Sequence, residues 1–395
     1  MNIIKKNNIT IFKSGIDTLV ISLMIEWKHY DLFSFLAEKK IMAQMCSGEF
    51  PIELIPDNEI KPWKANIQPN GAMGYEWLII GHDYVLKVGK WQEQLKRPHV
   101  VIEIRSETLW THGAENAINH ICGILEGLGA IILSVKMSRV DLCLDFLMNE
   151  KDWHRDLIDY IVSRAKEIKT HTSERKLSGF AIGSGDIQAR IYDKALEIRQ
   201  KSSKTWMFEI WGIKDVPRGS RVIRLEFQMR REFLKEVKVD NPDDLILKIR
   251  DLWLYCVDHW LKFQDRPGKH HTQRRNMFWW DEIRKGFQDF HIGAGLVREK
   301  AVNMDKNKRY KAAAGNIIAW KSIDMDSKGE EIKEIDFRQC LKDFCNSELS
   351  LEIKKEKVKE KIIEKMAKYH RVEKKEDMLY GKLKYKVMEE KEAPF

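Results

Sequence analysis

The sequence predicts an α+β protein with a curved, mainly antiparallel sheet, helices on one face of that sheet, and a helical C-terminal region. Three observations predict this class. The stretches 138–146, 187–194 and 221–231 alternate apolar and polar side chains, as strands with one buried face do. The first 235 residues read as one β-α-β-β-β-α pattern used twice. From residue 243 onward, apolar residues recur at helical spacing.

The first copy of the pattern covers residues 14–137. Its strands are indicated by apolar alternation and by glycines between them, and its helices by apolar residues three and four apart. The elements expected are, in order, a strand at 15–25, a helix at 29–45, strands at 75–80, 84–88 and 99–105, and a helix at 115–128.

The second copy covers residues 138–241 and differs from the first in its polar residues. Ile21 stands where the second copy has Asp145, and nothing in 84–90 matches Tyr192 and the residues after it. We therefore expect the second copy to carry chemistry and the first to be a scaffold or a DNA-contacting surface. The elements expected in the second copy are a strand at 138–146, a helix at 151–168, strands at 187–194, 206–211 and 221–230, and a further helix.

The C-terminal third has a different composition. Residues 242–345 form a predicted helical region that begins with the aromatic, amphipathic stretch 245–263, and we expect it to contribute DNA sequence specificity. A basic loop at 266–275 lies within it. Residues 346–395 alternate lysine and glutamate, which is typical of a solvated, charged helical tail.

Composition narrows the function classes. The chain has 395 residues, a formal net charge of +9 and a pI of about 9.0, which favours a polyanionic partner. Its six cysteines form no CxxC pair, so neither a zinc ribbon nor a disulfide framework is indicated. Asp17 and Glu26 bracket the apolar run 19–25, so a strand is expected there and not a signal peptide. No apolar run reaches membrane-spanning length, and a cytoplasmic location without membrane contact is predicted.

The polar faces of three predicted strands carry residues suited to phosphodiester chemistry. If the strands are neighbours, carboxylates could hold a divalent metal, a tyrosine could attack phosphorus, and cations could bind phosphate. The alternatives are that Asp141 and Asp145 pair with arginines across the sheet and that Tyr192 is a packing residue. The residues that share these faces are Arg139, Asp141, Cys143 and Asp145, then Gln188, Arg190, Tyr192 and Lys194, then Arg224, Glu226, Gln228 and Arg230.

Three motifs in this order resemble a known family. They are an RxDxxxD-like strand from Arg139 to Asp145, an R-I-Y-D-K-x-x-E segment from Arg190 to Glu197, and an R-x-E-x-x-x-R strand from Arg224 to Arg230. Together they resemble the Rep_trans replication initiation factors, which include rolling-circle initiators of plasmids, relaxase-like initiators of conjugative elements and related phage proteins. The resemblance covers roughly residues 14–290.

The resemblance implies a metal-dependent enzyme that nicks origin DNA. Tyr192 would attack a phosphodiester, remain linked to the 5′ phosphate and leave a free 3′ hydroxyl. The other implied roles are assistance by Arg190 and Lys194, Mg²⁺ or Mn²⁺ binding by Asp141, Asp145 and Glu226, and DNA contacts by Arg139, Arg224 and Arg230. Oxygen ligands suit both metals, and no pair among the 12 histidines has the His-hydrophobic-His spacing of HUH nucleases.

The expected partner is origin DNA, single-stranded or in a hairpin, with a host helicase and a second copy of the chain as further partners left open. Two other functions also stay open. One is a non-catalytic, sequence-specific DNA-binding protein of a mobile element. The other is a metal-dependent hydrolytic nuclease in which Tyr192 is only structural.

Overall fold

The chain forms two compact units, Met1–Glu299 and Lys300–Phe395. Domain boundaries expected after residues 137, 241 and 345 stay predictions. The predicted tail after Ser347 and the part of the basic loop before Arg274 lie outside the described residues. The computed structural model describes residues 9–28, 31–57, 61–91, 97–264, 274–290, 296, 306–329 and 336–347.

The N-terminal part of the chain forms six strands and three helices. Two short strands lie in a segment that the sequence analysis left without structure, so five strands follow the first helix where three were predicted. The elements are β1 (Thr10–Trp27), α1 (Asp31–Met45), β2 (Phe50–Leu54), β3 (Trp63–Ile67), β4 (Trp77–Gly81), β5 (Tyr84–Val88), β6 (Val100–Ile104), α2 (Ser106–His112) and α3 (Ala114–Gly127).

The following part continues the same sheet and then becomes mainly helical. A π-helical turn, Cys256–Trp260, extends its longest helix before the chain enters a short strand. The elements are β7 (Ala130–Asn149), β8 (Ile161–Ser163), β9 (Ile168–Ser173), β10 (Lys176–Ile182), β11 (Ile187–Asp193), α4 (Lys194–Glu197), α5 (Met207–Ile210), β12 (Ser220–Arg230), α6 (Arg231–Glu236), α7 (Pro242–Tyr255), β13 (Leu261–Phe263) and α8 (Phe278–Ile283).

The main sheet has eleven antiparallel strands in the order β2-β3-β4-β5-β6-β1-β7-β12-β11-β10-β9. We call β1–β6 the first half-sheet, and β7 with β9–β12 the second half-sheet. The half-sheets meet where β1 pairs with β7. From this centre outward, β1 is followed by β6, β5, β4, β3 and β2, and β7 is followed by β12, β11, β10 and β9. The strand order therefore repeats between the halves, as the predicted duplication requires, and the α+β class is confirmed.

The predicted helix at 151–168 is wrong. The segment forms two 3₁₀ turns, Glu150–Asp152 and Arg155–Tyr160, before β8 and β9. Trp153 is buried, as the helical spacing suggested, but it packs on Phe180 of β10 with ring centroids 6.0 Å apart. Ile161–Ser163 pairs as β8 with β13, and this long-range pairing overrides the local helical pattern.

The predicted strand at 206–211 is also wrong, because α5 occupies it. A helical turn places Met207 and Trp211, four residues apart, on the same side. Both are buried in a small second core with Leu147 and Val222. The aromatic residues of this segment therefore belong to a helix that covers part of the sheet.

One face of the main sheet holds the hydrophobic core. Helices α1, α3, α7 and α8 lie on this face; Phe33 of α1 stacks on Trp77 of β4, and Trp253 of α7 packs edge-on against Phe227 of β12. Trp279 and Trp280 are fully buried in this core. The C-terminal aromatic stretch up to Phe287 therefore packs with the sheet.

We call the opposite side of the main sheet the open face. Helices lie mainly on the core side, as predicted, but α2 and α5 cover part of the open face near its centre. A Cβ at Gly15 of β1 would lie 2.7 Å from the Trp110 ring of α2, so only glycine admits this helix so closely. Elsewhere the open-face residues are partly exposed, among them Val20, Val85 and Arg190.

The second compact unit contains α9 (Lys306–Lys328) and α10 (Phe337–Asn346). Trp320 packs edge-on against Phe344, and Lys321 forms a 2.9 Å ion pair with Asp343. No helix in the described parts of the chain is long and apolar enough to cross a membrane.

Candidate active site

The three polar-faced strands are neighbours, as the site prediction required. β7 pairs with β12, and β12 pairs with β11. Because directly paired residues of antiparallel strands point to the same side, their polar residues share the open face. The rows across the three strands are Asp145–Arg224–Tyr192, Cys143–Glu226–Arg190 and Asp141–Gln228–Gln188.

Tyr192 is held by a short chain of hydrogen bonds. Its hydroxyl donates to Glu226 Oε2 at 3.1 Å, and Arg190 Nη1 donates to Glu226 Oε1 at 3.1 Å. Arg190 also donates to the side chain of Gln228 at 3.1 Å. Glu226 is only 4% exposed, whereas Tyr192 is half-buried. The phenol oxygen is therefore fixed in place while its ring remains accessible.

Lys194 lies behind this tyrosine. Its ammonium group is 5.7 Å from the centroid of the Tyr192 ring and forms a 2.7 Å ion pair with Glu197. The i, i+3 spacing within α4 brings these two residues together, and Asp193 caps the helix by accepting a hydrogen bond from the Leu196 amide. The R-I-Y-D-K-x-x-E motif is thus a strand end followed by one capped helical turn.

A second group is buried at the centre of the sheet. Arg224 is fully buried and donates twice to Asp145, at 2.6 Å each, and once to Asp17. Trp211 donates to Asp145 at 2.9 Å, and Trp110 lies 5.8 Å over the guanidinium. In this position Arg224 does not present its charge to a DNA phosphate, which departs from the expected role, and Asp145 is shielded from solvent.

Asp141 belongs to a third pair. It is 1% exposed and accepts two hydrogen bonds from Arg139, one of them at 2.7 Å. The side chain of Arg139 is partly exposed, at 30%, and Arg230 at the end of the next strand is exposed. Arg139, Arg190 and Arg230 are therefore the predicted cations that reach the solvent on this face.

Burial and neighbouring charges shift several protonation equilibria. Burial first, and then Asp17 and Asp141, raise the pKa of Glu226 to about 7. Burial and the Glu226 carboxylate hold the pKa of Tyr192 well above its usual range, against an opposing effect of Arg224. Burial also raises the pKa of Asp141, despite Arg139. The site therefore contains a carboxylate that changes charge near neutrality beside a tyrosine that stays protonated.

Asp17 and Lys204 belong to the same region, and the sequence analysis did not select them. Burial would raise the pKa of Asp17, but Arg224, Lys194 and Lys204 outweigh it and lower that pKa. Lys204 donates to Ser106 at 2.7 Å, and its pKa is lowered by burial and by the nearby cations. Asp17 lies in the strand predicted at 15–25, whereas no sequence signal pointed to Lys204.

The three carboxylates of the predicted metal site do not converge on one position. Each predicted ligand is bound to a different partner: Asp141 to Arg139, Asp145 to Arg224, and Glu226 to Arg190 and Tyr192. Among the described residues, no group of three or more histidine, cysteine or acidic side chains is placed to hold a metal ion. As placed, the three carboxylates do not fit a Mg²⁺ or Mn²⁺ site, and metal binding stays a prediction.

Comparisons with known proteins give a distant structural similarity. No protein-family model and no curated protein matches the chain. The solved structure of a rolling circle replication initiator protein from Geobacillus stearothermophilus is similar with a TM-score of 0.38 and 14% sequence identity. The match covers 72% of this chain and 99% of that chain. A similarity of this size does not establish a shared fold.

Proposed function

We propose that the protein initiates rolling-circle-type replication by nicking DNA through Tyr192. The observation that carries this proposal is the pairing of the Tyr192 hydroxyl with Glu226 at the edge of an accessible face. The motif resemblance supports the same assignment. The hydrogen bond from Arg190 to the same Glu226 carboxylate supports its proposed role near the Tyr192 hydroxyl.

In the proposed step, Tyr192 Oη forms a bond to phosphorus while the bond from phosphorus to the 3′ oxygen breaks. The phenolic proton passes to Glu226 Oε2, 3.1 Å away, whose pKa of about 7 suits proton transfer near neutrality. The leaving 3′ oxygen takes a proton from water, and the proton that Glu226 then releases neutralises the hydroxide so formed. Arg190, whose side chain is partly exposed, can offset phosphate charge. Lys194 is buried and paired with Glu197, so it would act on the tyrosine from behind the ring and not on the phosphate. The products are a 5′-phosphotyrosine link and a free 3′ hydroxyl.

The test is covalent capture with Tyr192→Phe. This substitution removes the hydroxyl and retains the ring, so DNA binding should persist while denaturation-resistant adducts disappear. Tyr75→Phe is the matched control, because it likewise removes a hydroxyl that donates one hydrogen bond, here to Pro98 at 3.2 Å. Adducts that form at the normal rate on Tyr192→Phe would place the nucleophile elsewhere.

A second candidate is a DNA-binding protein without cleavage activity. The observation that favours it is the raised pKa of Tyr192, because a protonated phenol is a weak nucleophile. This function predicts that wild-type protein binds DNA of its own replicon and forms no adduct under any condition that preserves the fold. Covalent capture therefore separates the two candidates in one experiment.

A further inference from the structure

A shallow trough runs along β10 beside Tyr192. Gly179 and Ala181 form its floor. Tyr192 and Arg190 of β11 line one wall, and His171 and Lys169 of β9 line the other, since each pairs directly across β10. The cavity has a volume of about 690 Å³. We call this feature the β10 trough.

We propose that the β10 trough binds a single, extended strand of DNA and leads it to Tyr192. The choice of DNA as ligand rests on the proposed function. The spacing of the strands sets the width of the β10 trough. Neighbouring strands lie about 4.8 Å apart, so the walls on β9 and β11 stand roughly 10 Å apart. A double helix, whose major groove alone is about 12 Å wide, is too broad for it.

Small residues keep the floor of the β10 trough low. A Cβ on Gly179 would lie 2.7 Å from both the Ile191 carbonyl oxygen and Tyr192 Cβ. A side chain at this position would therefore push directly on the main chain that carries the tyrosine. Ala181, the next floor residue, adds only a methyl group beside Arg190. The absence of larger side chains at both positions leaves the Tyr192 ring open toward the trough.

The charges available along the walls suit a phosphodiester backbone. Lys169 and Lys201 are exposed, and the side chain of Arg190 is 41% exposed. Lys169 also makes a 3.1 Å surface ion pair with Glu167, which is weak at such exposure.

The acidic groups of the trough are already engaged. Asp193 is bonded to Arg221 at 2.7 Å, and Glu197 is bonded to Lys194 at 2.7 Å. The accessible charge is therefore positive, and an aromatic ring at one end can stack on a base.

The first half-sheet lacks this shape at the corresponding strand. There β4 lies in the place of β10, and its open-face residues are Leu78 and Ile80. They pair with Lys87 and Val85 of β5, so branched side chains fill the position where the second half-sheet has glycine and alanine. The glycine and alanine floor is thus specific to the half-sheet that carries Tyr192.

The experiment fills the trough in the full-length protein. Ala181→Leu adds a branched side chain to the floor, and Val85→Leu, on the open face of the first half-sheet, is the control. Binding of a short, labelled, mixed-sequence oligonucleotide is followed by fluorescence anisotropy, as a single strand and as a duplex. We expect Ala181→Leu to weaken single-strand binding about tenfold, the size of one lost base–aromatic stack. Duplex binding and Val85→Leu should be unchanged.

A charge variant gives an independent measurement. Lys169→Ala should lower the dependence of single-strand affinity on salt by roughly 0.7 in log–log slope, the value for one lost phosphate contact. Lys64→Ala is the matched control, because Lys64 lies on β3, the counterpart of β9, and makes a similar 3.2 Å ion pair with Glu53. If Ala181→Leu does not fold, Lys169→Ala decides the question alone.

The outcomes distinguish the trough from the nicking function. A folded Ala181→Leu protein that binds single strands normally overturns the trough, even if adducts form on Tyr192. Equal effects of Lys169→Ala and Lys64→Ala, tighter binding to duplex, or no DNA binding by wild type would overturn it too. Weakened single-strand binding by both trough variants, in a protein that forms no adduct, supports the trough and contradicts the nicking function.

Discussion

The two half-sheets have the same strand order from the centre outward, yet their open faces differ in chemistry. The first half-sheet shows Val20, Val85 and Val101, with Lys87 and Glu103 among them, all partly exposed. The corresponding region of the second half-sheet carries paired charges that are largely buried. Ordinary aliphatic residues are therefore sufficient for this sheet architecture.

This difference makes the charges of the second half-sheet informative. Taking ionised groups out of water costs several kcal/mol per ion before their pairing offsets it, and apolar residues of the same size are often as stable. Three pairs, centred on Asp141, Asp145 and Glu226, are nevertheless present on one half-sheet. A desolvation cost of this kind in only one of the two half-sheets is expected if the open face of that half-sheet has a function.

The largest expected effect concerns the predicted metal. If Mg²⁺ or Mn²⁺ is required, EDTA should reduce nicking to background, and added Mn²⁺ should restore it. Single-strand binding in EDTA is the control, because wall cations such as Arg190 need no metal to contact phosphate. Nicking that persists in EDTA would mean that the three carboxylates act only as partners of their arginines, as the structure has them.

The next effect concerns stability. Arg224→Met should lower the free energy of unfolding by about 3–5 kcal/mol, because it leaves the buried Asp145 carboxylate without its partner. Lys87→Met on the first half-sheet should change it by less than about 0.5 kcal/mol, since the residue is a partly exposed surface cation. Urea unfolding measures both. Equal losses would remove the energetic contrast between the half-sheets.

The pH dependence of stability should differ between wild type and Glu226→Gln. Burial and nearby carboxylates raise the pKa of Glu226 from its ordinary value of 4.5 to about 7. Between these values the folded protein binds more protons than the unfolded chain, so its stability falls as the pH rises. Glutamine does not ionise, so Glu226→Gln should gain about 3 kcal/mol relative to wild type between about pH 4.5 and pH 8.

Thermal or urea unfolding across this pH range measures the gain. Glu103→Gln is the control, because it makes the same change on the open face of the first half-sheet. A difference between Glu226→Gln and wild type that stays constant with pH would show that Glu226 carries the same charge in the folded and unfolded states.

The smallest effect concerns phosphate contacts. Arg190 and Lys87 lie on corresponding strands, β11 and β5, and both are partly exposed. Arg190→Ala should weaken single-strand binding several-fold and lower its salt dependence by roughly 0.7 in slope, while Lys87→Ala should leave both unchanged. Comparable losses in the two variants would mean that DNA crosses the whole open face and not only the second half-sheet.

The alternation of apolar and polar residues predicted three strands near the centre of the sheet, β7, β12 and β11, and which of their faces is buried. In β11, in β12 and in residues 138–146 of β7, alternation assigned the strand residues to the correct side, because a slip by one residue would turn the apolar side chains away from the core. Lys194, predicted as a strand residue, begins α4 instead. The same method misassigned residues 151–168, where two 3₁₀ turns replace the first part of the predicted helix and pairing of β8 with β13 determines the part that follows.

The sequence alone could not predict which charged residues pair with one another. Arg224 binds Asp17, 207 residues earlier in the chain, because β1 and β12 flank β7 in the folded sheet. Which arginine neutralises which carboxylate depends on register and on side-chain direction, and neither is encoded in spacing alone. The pairing of Asp145 with Trp211 likewise depends on α5, which local alternation had suggested to be a strand.

The most direct test of the central claim is to locate the DNA adduct. The protein is incubated with single-stranded DNA covering its own gene and flanking regions, with Mn²⁺ present, then denatured, digested with nuclease and trypsin, and analysed by mass spectrometry. Cleavage after Arg190 and Lys194 releases residues 191–194, which contain a single tyrosine, Tyr192. The account predicts a nucleotide on this peptide. A nucleotide on any other tyrosine, or cut DNA without a covalent link, would contradict it.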